Sequence, residues 1–177
     1  MRLGKNEKAV EIEIVSTGPL GATLSHYDFS SSTADAFTSE ISSTWVMPRI
    51  ERSPGLARDF VLFFNPQPFT VVVTMNATTS TGQTITVTRQ VQALRRGGFD
   101  INGLGQLPTG VFGATITAAP LNPSDAAQFE GIVASLTHFD LDESYGYGSL
   151  GSAGSGHTAG AVTQLTEGAG RTSELVL

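Results

Sequence analysis

Two short segments of the chain each place a histidine two residues before an aspartate. They are His26 and Asp28 in "LSHYDFSSS", and His138 and Asp140 in "LTHFDLDES". On an extended strand that spacing turns both side chains to one face. Two such strands side by side could gather two imidazoles and two carboxylates into a metal site. The competing reading is a structural His–Asp contact at a strand end, with Tyr27 and Phe139 pointing into the core. Asp140, Asp142 and Glu143 offer oxygen ligands of the kind calcium takes, but the glycine-centred loop of twelve residues is missing, so they read as a solvated acidic turn.

His157 in "GSGHTAG" has no carboxylate near it in sequence, and "GSAGSG" is not the strand-to-helix elbow of a serine nucleophile. "GLGQLPTG" and "GFDINGLG" carry phosphate-loop glycines without a lysine or a following helix, and read as turns. The expectation is a protein that is not an enzyme, with no catalytic residues, no cofactor and no metal. Binding chemistry is left to the aromatic residues. Trp45, Tyr145 and Tyr147 are candidate glycan contacts, with Trp45 open to a second reading as a core or edge anchor. Asn76-Ala77-Thr78 is a glycosylation sequon, meaningful only on a glycosylating secretory route.

The elements that must carry these residues are strands. Charged residues make up only 15% of the chain, glycine is abundant at 20 residues, and the lysines are Lys5 and Lys8 alone. Such Thr/Ser/Gly/Val-rich, charge-poor composition suits extracellular β-proteins and is poor for a helical enzyme. The net charge of −6 argues against nucleic acid. With no cysteine, disulfides, Cys-ligated zinc and thiol chemistry are excluded. No run of apolar residues is long enough for a membrane-spanning helix, and "MRLGKNEKAVEIEIV" lacks the apolar centre of a signal peptide.

Val10, Ile12 and Ile14 alternate with Glu11 and Glu13, the period of a half-buried strand. "GATLSHYDF" follows as a second strand, and Ala34 to Phe37 could form a helical turn. "TWVMPRIERSPG" reads as a short extended piece broken by Pro48 and Pro54. Phe60 to Phe64 is an unbroken apolar run, the pattern of a central buried strand. Val71, Val73 and Met75 share one face, "TSTG" turns with Gly82 at positive φ, and Ile85 and Val87 continue a hairpin. Arg95 to Gly98 reads as an exposed turn. Phe112, Ala114 and Ile116 are in phase on a further strand, "LNPSDAAQF" holds a single helical turn, and residues 144 to 160 read as a flexible Gly/Ser loop.

The two His-x-Asp segments belong to a longer match. "LGATLSHYDF" and "IVASLTHFDL" are identical at four of ten positions, and their flanks are alike. The repeat period is roughly 112 to 115 residues, one β-sandwich per repeat. In this reading residues 1–54 are a partial repeat packed on the main domain, 55–141 the complete sandwich, and 142–177 a loop and strand opening the next repeat. "FVLFFNPQPFTVVVTMNATTSTGQTITVTRQVQALRRGGFDINGL", then "GVFGATITAAP" and "GIVASLTHFD", resembles the immunoglobulin-like tandem repeats of bacterial surface proteins over about residues 55–141. The resemblance implies a non-enzymatic, array-forming module at the cell surface.

The expected fold is therefore an all-β, immunoglobulin-like antiparallel sandwich with flanking strands. The expected role is structural or adhesive and extracellular, with self-association or neighbouring repeats as partners, and neither nucleic acid nor a membrane span. The apolar end Glu174, Leu175, Val176 and Leu177 matches "DFVLF" and needs an edge to pair with, which makes it the candidate assembly strand. A carbohydrate-binding module and a hydrolase on a β-scaffold are the alternatives.

Overall fold

A computed structural model describes residues 25–28, 33–36, 40–142 and 144–154. The expected strand at Val10 to Ile14, Glu143, His157 and the segment Glu174 to Leu177 lie outside the described residues. The strands are β1 (Ser25–Asp28), β2 (Thr33–Ala36), β3 (Thr44–Ser53), β4 (Ala57–Asn65), β5 (Val71–Thr78) and β6 (Thr84–Val91). They continue as β7 (Arg95–Asp100), β8 (Gly110–Pro120), β9 (Val133–Asp140), β10 (Tyr145–Leu150) and β11 (Ser152–Ala153). Short 3-10 turns at Ile101–Gly103 and Pro123–Gln128 are the helical elements among the described residues. The fold is all-β, as the turn spacing and composition indicate.

The strands follow the order β1-β2-β10-β9-β4-β3-β8-β5-β6, with β7 added to β4 and β11 to β3. All of these pairings are antiparallel except β2 with β10. β3 and β4 pair only at Arg52↔Arg58 and Ser53↔Ala57. The ladder therefore folds over at this hairpin corner. β7, β4, β9, β10, β2 and β1 form one layer, and β6, β5, β8, β3 and β11 face it in a sandwich-like arrangement.

Period-two alternation sends one face of each central strand inward. Val71, Val73, Met75 and Ala77 of β5 are buried, as are Phe112, Ala114, Ile116 and Ala118 of β8. From the other layer come Val61, Phe63, Ala134 and Leu136. Full burial of each larger aliphatic side chain stabilises by about 1.5–3 kcal/mol before chain entropy is counted. Trp45, Met47 and Ile50 of β3 join the same core, with Ala153 of β11 packed against it. Segments on both sides of residues 55–141 thus contribute to one interior.

Several local expectations are corrected. Phe60 to Phe64 is a central strand but not buried on both faces: Val61 and Phe63 point in, while Leu62 is 37% exposed. Ala34 lies on strand β2, not in a helical turn. β3 is continuous through Pro48, because a register shift between Met47 and Ile50 takes up the residue that cannot donate to the ladder. Arg95 to Gly98 is strand, not turn, paired to β4 from Asn65↔Arg95 to Phe60↔Asp100. Its glycines are required by close approach. A Cβ on Gly97 would collide with the Phe63 ring, and one on Gly98 would lie 2.9 Å from the Val61 carbonyl oxygen. Residues 145–150, expected in a flexible loop, pair with β9 along their whole length. Gly82 does take positive φ, at 82°.

The Asn-Pro-Gln-Pro stretch is more than a turn. Asn65 is fully buried, and its Nδ2 donates to the carbonyls of Phe69, Val91 and Gln92 at 2.8, 3.2 and 3.0 Å. Its Oδ1 accepts from the Gln67 N–H at 3.0 Å, and Gln67 Nε2 donates to the Gly131 carbonyl at 3.0 Å. The Asn65 and Gln67 amides together thus satisfy backbone groups of three segments.

Candidate functional site: a buried Asp–His pair and its tyrosine cover

Along β9, Ala134, Leu136 and His138 share the inward face, so His138 enters the interior and Phe139 turns outward. This reverses the expectation that Phe139 faces the core. Phe139 instead meets Phe60 edge-on at 6.2 Å on the outer face, where the Arg58 guanidinium lies 4.7 Å from the Phe60 ring centroid.

Inside, His138 meets an acid that the sequence reading missed. Asp59 holds the inward phase of β4, two residues before Val61, and is 1% exposed. The register sets Asp59 opposite His138, and Nδ1 lies 2.5 Å from Asp59 Oδ1. The second carboxylate oxygen accepts the Glu51 N–H at 2.5 Å. Burial pushes the Asp59 carboxyl above its usual range, against the opposing pull of the Glu51 N–H and of His138. A buried acid with two hydrogen-bond partners and a buried imidazole is a satisfied unit. It ties β4 to β9 through side chains and to β3 through the backbone.

β10 covers the pair. Tyr147 is the register partner of His138, and its ring stacks on the imidazole at 4.8 Å and 28°. Tyr145, two residues earlier and 38% exposed, lies near-parallel to Tyr147 at 6.4 Å and 16°. Arg49 Nη1 donates to the Tyr147 hydroxyl at 3.3 Å, and Arg49 Nη2 lies 2.9 Å from Glu51 Oε2. Burial raises the Tyr147 phenol above its ordinary value. Asp59 Oδ1 holds the imidazole at Nδ1. The arrangement clamps two layers together.

The other candidates separate. β1, carrying His26 and Asp28, is divided from β9 by β2 and β10, which at about 4.8 Å per strand puts the two His-x-Asp strands roughly 14 Å apart. They do not form one metal site, and no metal-holding group of three ligands exists among the described residues. His138 and Asp140 also part, since the imidazole is buried while Asp140 caps the next turn, its Oδ1 accepting the Asp142 N–H at 3.0 Å. Trp45 is fully buried, with Nε1 donating to the Ile132 carbonyl at 3.0 Å. No face of its ring is open to a glycan, and it anchors the core. Tyr145 and Tyr147 are brought together. Asn76 of the sequon lies within β5, its Oδ1 accepting from Thr86 Oγ1 at 2.7 Å.

One signal could have found Asp59. Asp59, Val61, Phe63 and Asn65 are in phase, and an acid on the buried phase of an apolar strand needs a partner. Arg49 and Glu51 had no comparable signal, because only the cross-sheet fold brings them to Tyr147.

The closed flank and the open rim are the two surfaces left by this geometry. Beyond β10, Gly151 lets the chain cross to the other layer, where a Cβ would lie 2.8 Å from Met47 and 3.0 Å from the Val46 carbonyl oxygen. β11 then pairs Ser152↔Val46 and Ala153↔Trp45. At the opposite rim, β6 pairs only with β5 among the described residues. No described helix is long and apolar enough to cross a membrane.

No protein-family model and no curated protein matches the chain. A solved structure titled "Crystal Structure of Thermotoga maritima 1070" superposes with a TM-score of 0.54 at 10% sequence identity, covering 67% of this chain and 99% of that one. At this identity the likeness is one of fold: the chain is similar in its β-architecture to that Thermotoga maritima protein.

Proposed function

We propose that the chain is a non-enzymatic structural or adhesive module that works outside the cell and associates with further copies by strand addition. The observation that supports this is the β6 edge. It offers eight residues, Thr84–Val91, in unbroken register with β5. Natural edges are normally blunted by lysine, proline or a bulge. β6 has none of these; its one edge-blunting feature is Arg89, on the inward phase of the strand, which donates to the Gly98 carbonyl at 2.5 Å. Its outward positions Thr84, Thr86 and Thr88 are short and uncharged. The largely apolar segment Glu174 to Leu177 has the composition to pair with such an edge.

The test is particle size by light scattering for the full chain, for a deletion of Glu174 to Leu177, and for Thr88→Lys. Thr88 is exposed, so the lysine leaves the fold intact while charging the edge. Concentration-dependent growth of the parent that both changes suppress is the expected outcome. A parent that stays a single chain at every concentration sinks the reading.

Tyr145 favours a second reading as a carbohydrate-binding module, since it is exposed beside the near-parallel ring of Tyr147. A glycan array with the parent and Tyr145→Ala separates the two readings. Binding lost in the variant supports this one.

A further inference from the structure

The outer face near the open rim carries a trough with its own chemistry. β4 and β7 place Phe60 opposite Asp100 and Leu62 opposite Gly98. Because Gly98 has no side chain, a shallow groove of about 390 Å³ runs over it, lined by Phe60, Leu62, Arg89, Arg96, Gly98 and Asp100. Its floor is apolar. Its cations are not matched by acids. Asp100 is taken by Arg58, Nη2 to Oδ2 at 2.7 Å, which holds the Asp100 carboxyl below its usual range. Among the described residues no carboxylate pairs with Arg89 or Arg96. Two guanidiniums without acids give this trough a local positive character on a chain of net charge −6.

We propose that this trough receives the Glu174–Leu177 segment of a second copy, with leucine or valine side chains on Phe60 and Leu62 and the Glu174 carboxylate on Arg96. The inference rests on the self-association reading above and adds to it the side-chain receptor that selects the incoming strand. The occupant follows from chemistry. An apolar floor beside unpaired cations suits an extended segment that joins an acid to aliphatic residues, and "SELVL" is such a segment outside the described residues. Arg89 links the two surfaces, since it belongs to the β6 edge and lines the trough.

The experiment compares sedimentation equilibrium of the full chain with Arg96→Glu, Glu174→Arg and the double exchange. Arg96 is exposed, so the fold is not at stake. Each single exchange should weaken association about five-fold or more, and the double exchange should restore it. A single exchange that leaves association unchanged, while Thr88→Lys still suppresses it, overturns the trough and leaves strand addition standing. Loss in both single variants without rescue in the double also overturns the pairing. A parent that does not associate removes both.

Discussion

On one flank of the sandwich the chain itself passes between the layers, from β10 through Gly151 to β11, and covers a buried Asp59–His138 pair with Tyr147. On the other flank the chain crosses from β6 to β7, Asn65 bonds the Val91 and Gln92 carbonyls and Arg89 the Gly98 carbonyl, beside an eight-residue edge that pairs on one side only among the described residues. On the closed flank the Asp59 carboxylate has two hydrogen-bond partners, and the aromatic residues are stacked. Among the described residues the open rim leaves one side of β6 without a strand partner and two guanidiniums without a carboxylate. On the proposed reading, stability and association fall on opposite sides of the fold. A change on either side should leave the other property almost untouched.

The largest test of that division is Asp59→Ala. It strands a buried imidazole and the Glu51 N–H, and removing one partner of a buried pair costs about 3–5 kcal/mol. Urea unfolding of the variant should show that loss, whereas a loss under about 1 kcal/mol would mean that the closed flank is not where stability resides.

A smaller, graded effect follows from pH. Burial makes Asp59 hold its proton more tightly in the folded chain than in the unfolded one, where an aspartate titrates near pH 3.9. Its contribution is full below about pH 4 and is lost as pH rises through the raised folded value. Urea midpoints measured upward from pH 4 should therefore decline, and Asp59→Asn should flatten that decline. An equal decline in the variant would assign the slope to other groups.

The smallest effect belongs to the open rim. Arg89→Ala removes one exposed hydrogen bond and should cost under about 1 kcal/mol in unfolding. The same variant should reduce association measurably by light scattering, because it strips a cation from the trough. A large stability loss with association unchanged would invert the comparison.

The sequence made some of this division legible. β5 and β8 were plain in it because Val71, Val73 and Met75, and Phe112, Ala114 and Ile116, keep a strict period of two. β7 and β10 were hidden by glycine. Gly97 and Gly98 look like a turn until the Phe63 ring and the Val61 carbonyl are seen pressing on them. Tyr145 to Leu150 is low in complexity, yet alternates tyrosine with glycine in step with β9. His138 and Phe139 could each have taken the inward place by periodicity alone, and the buried acid across the ladder decided for the histidine. The site was half visible. Tyr145 and Tyr147 were chosen from sequence, whereas Trp45 was open to two readings and its burial leaves only one. Asp59, Arg49 and Glu51 meet the cluster through pairings and contacts between strands, which no single-strand pattern contains.

The crossing at Gly151 also has a mechanical meaning. A pull on the chain beyond Gly154 reaches first the two-residue pairing of β11 with β3, then the β10 ladder, and only afterwards β9 and β4. Peeling Tyr145 through Ala153 away would free a segment of roughly 30 Å contour length before the innermost strands bear load. Under tension, the strap that seals the flank is also a short extensible spring in series with a stiff body.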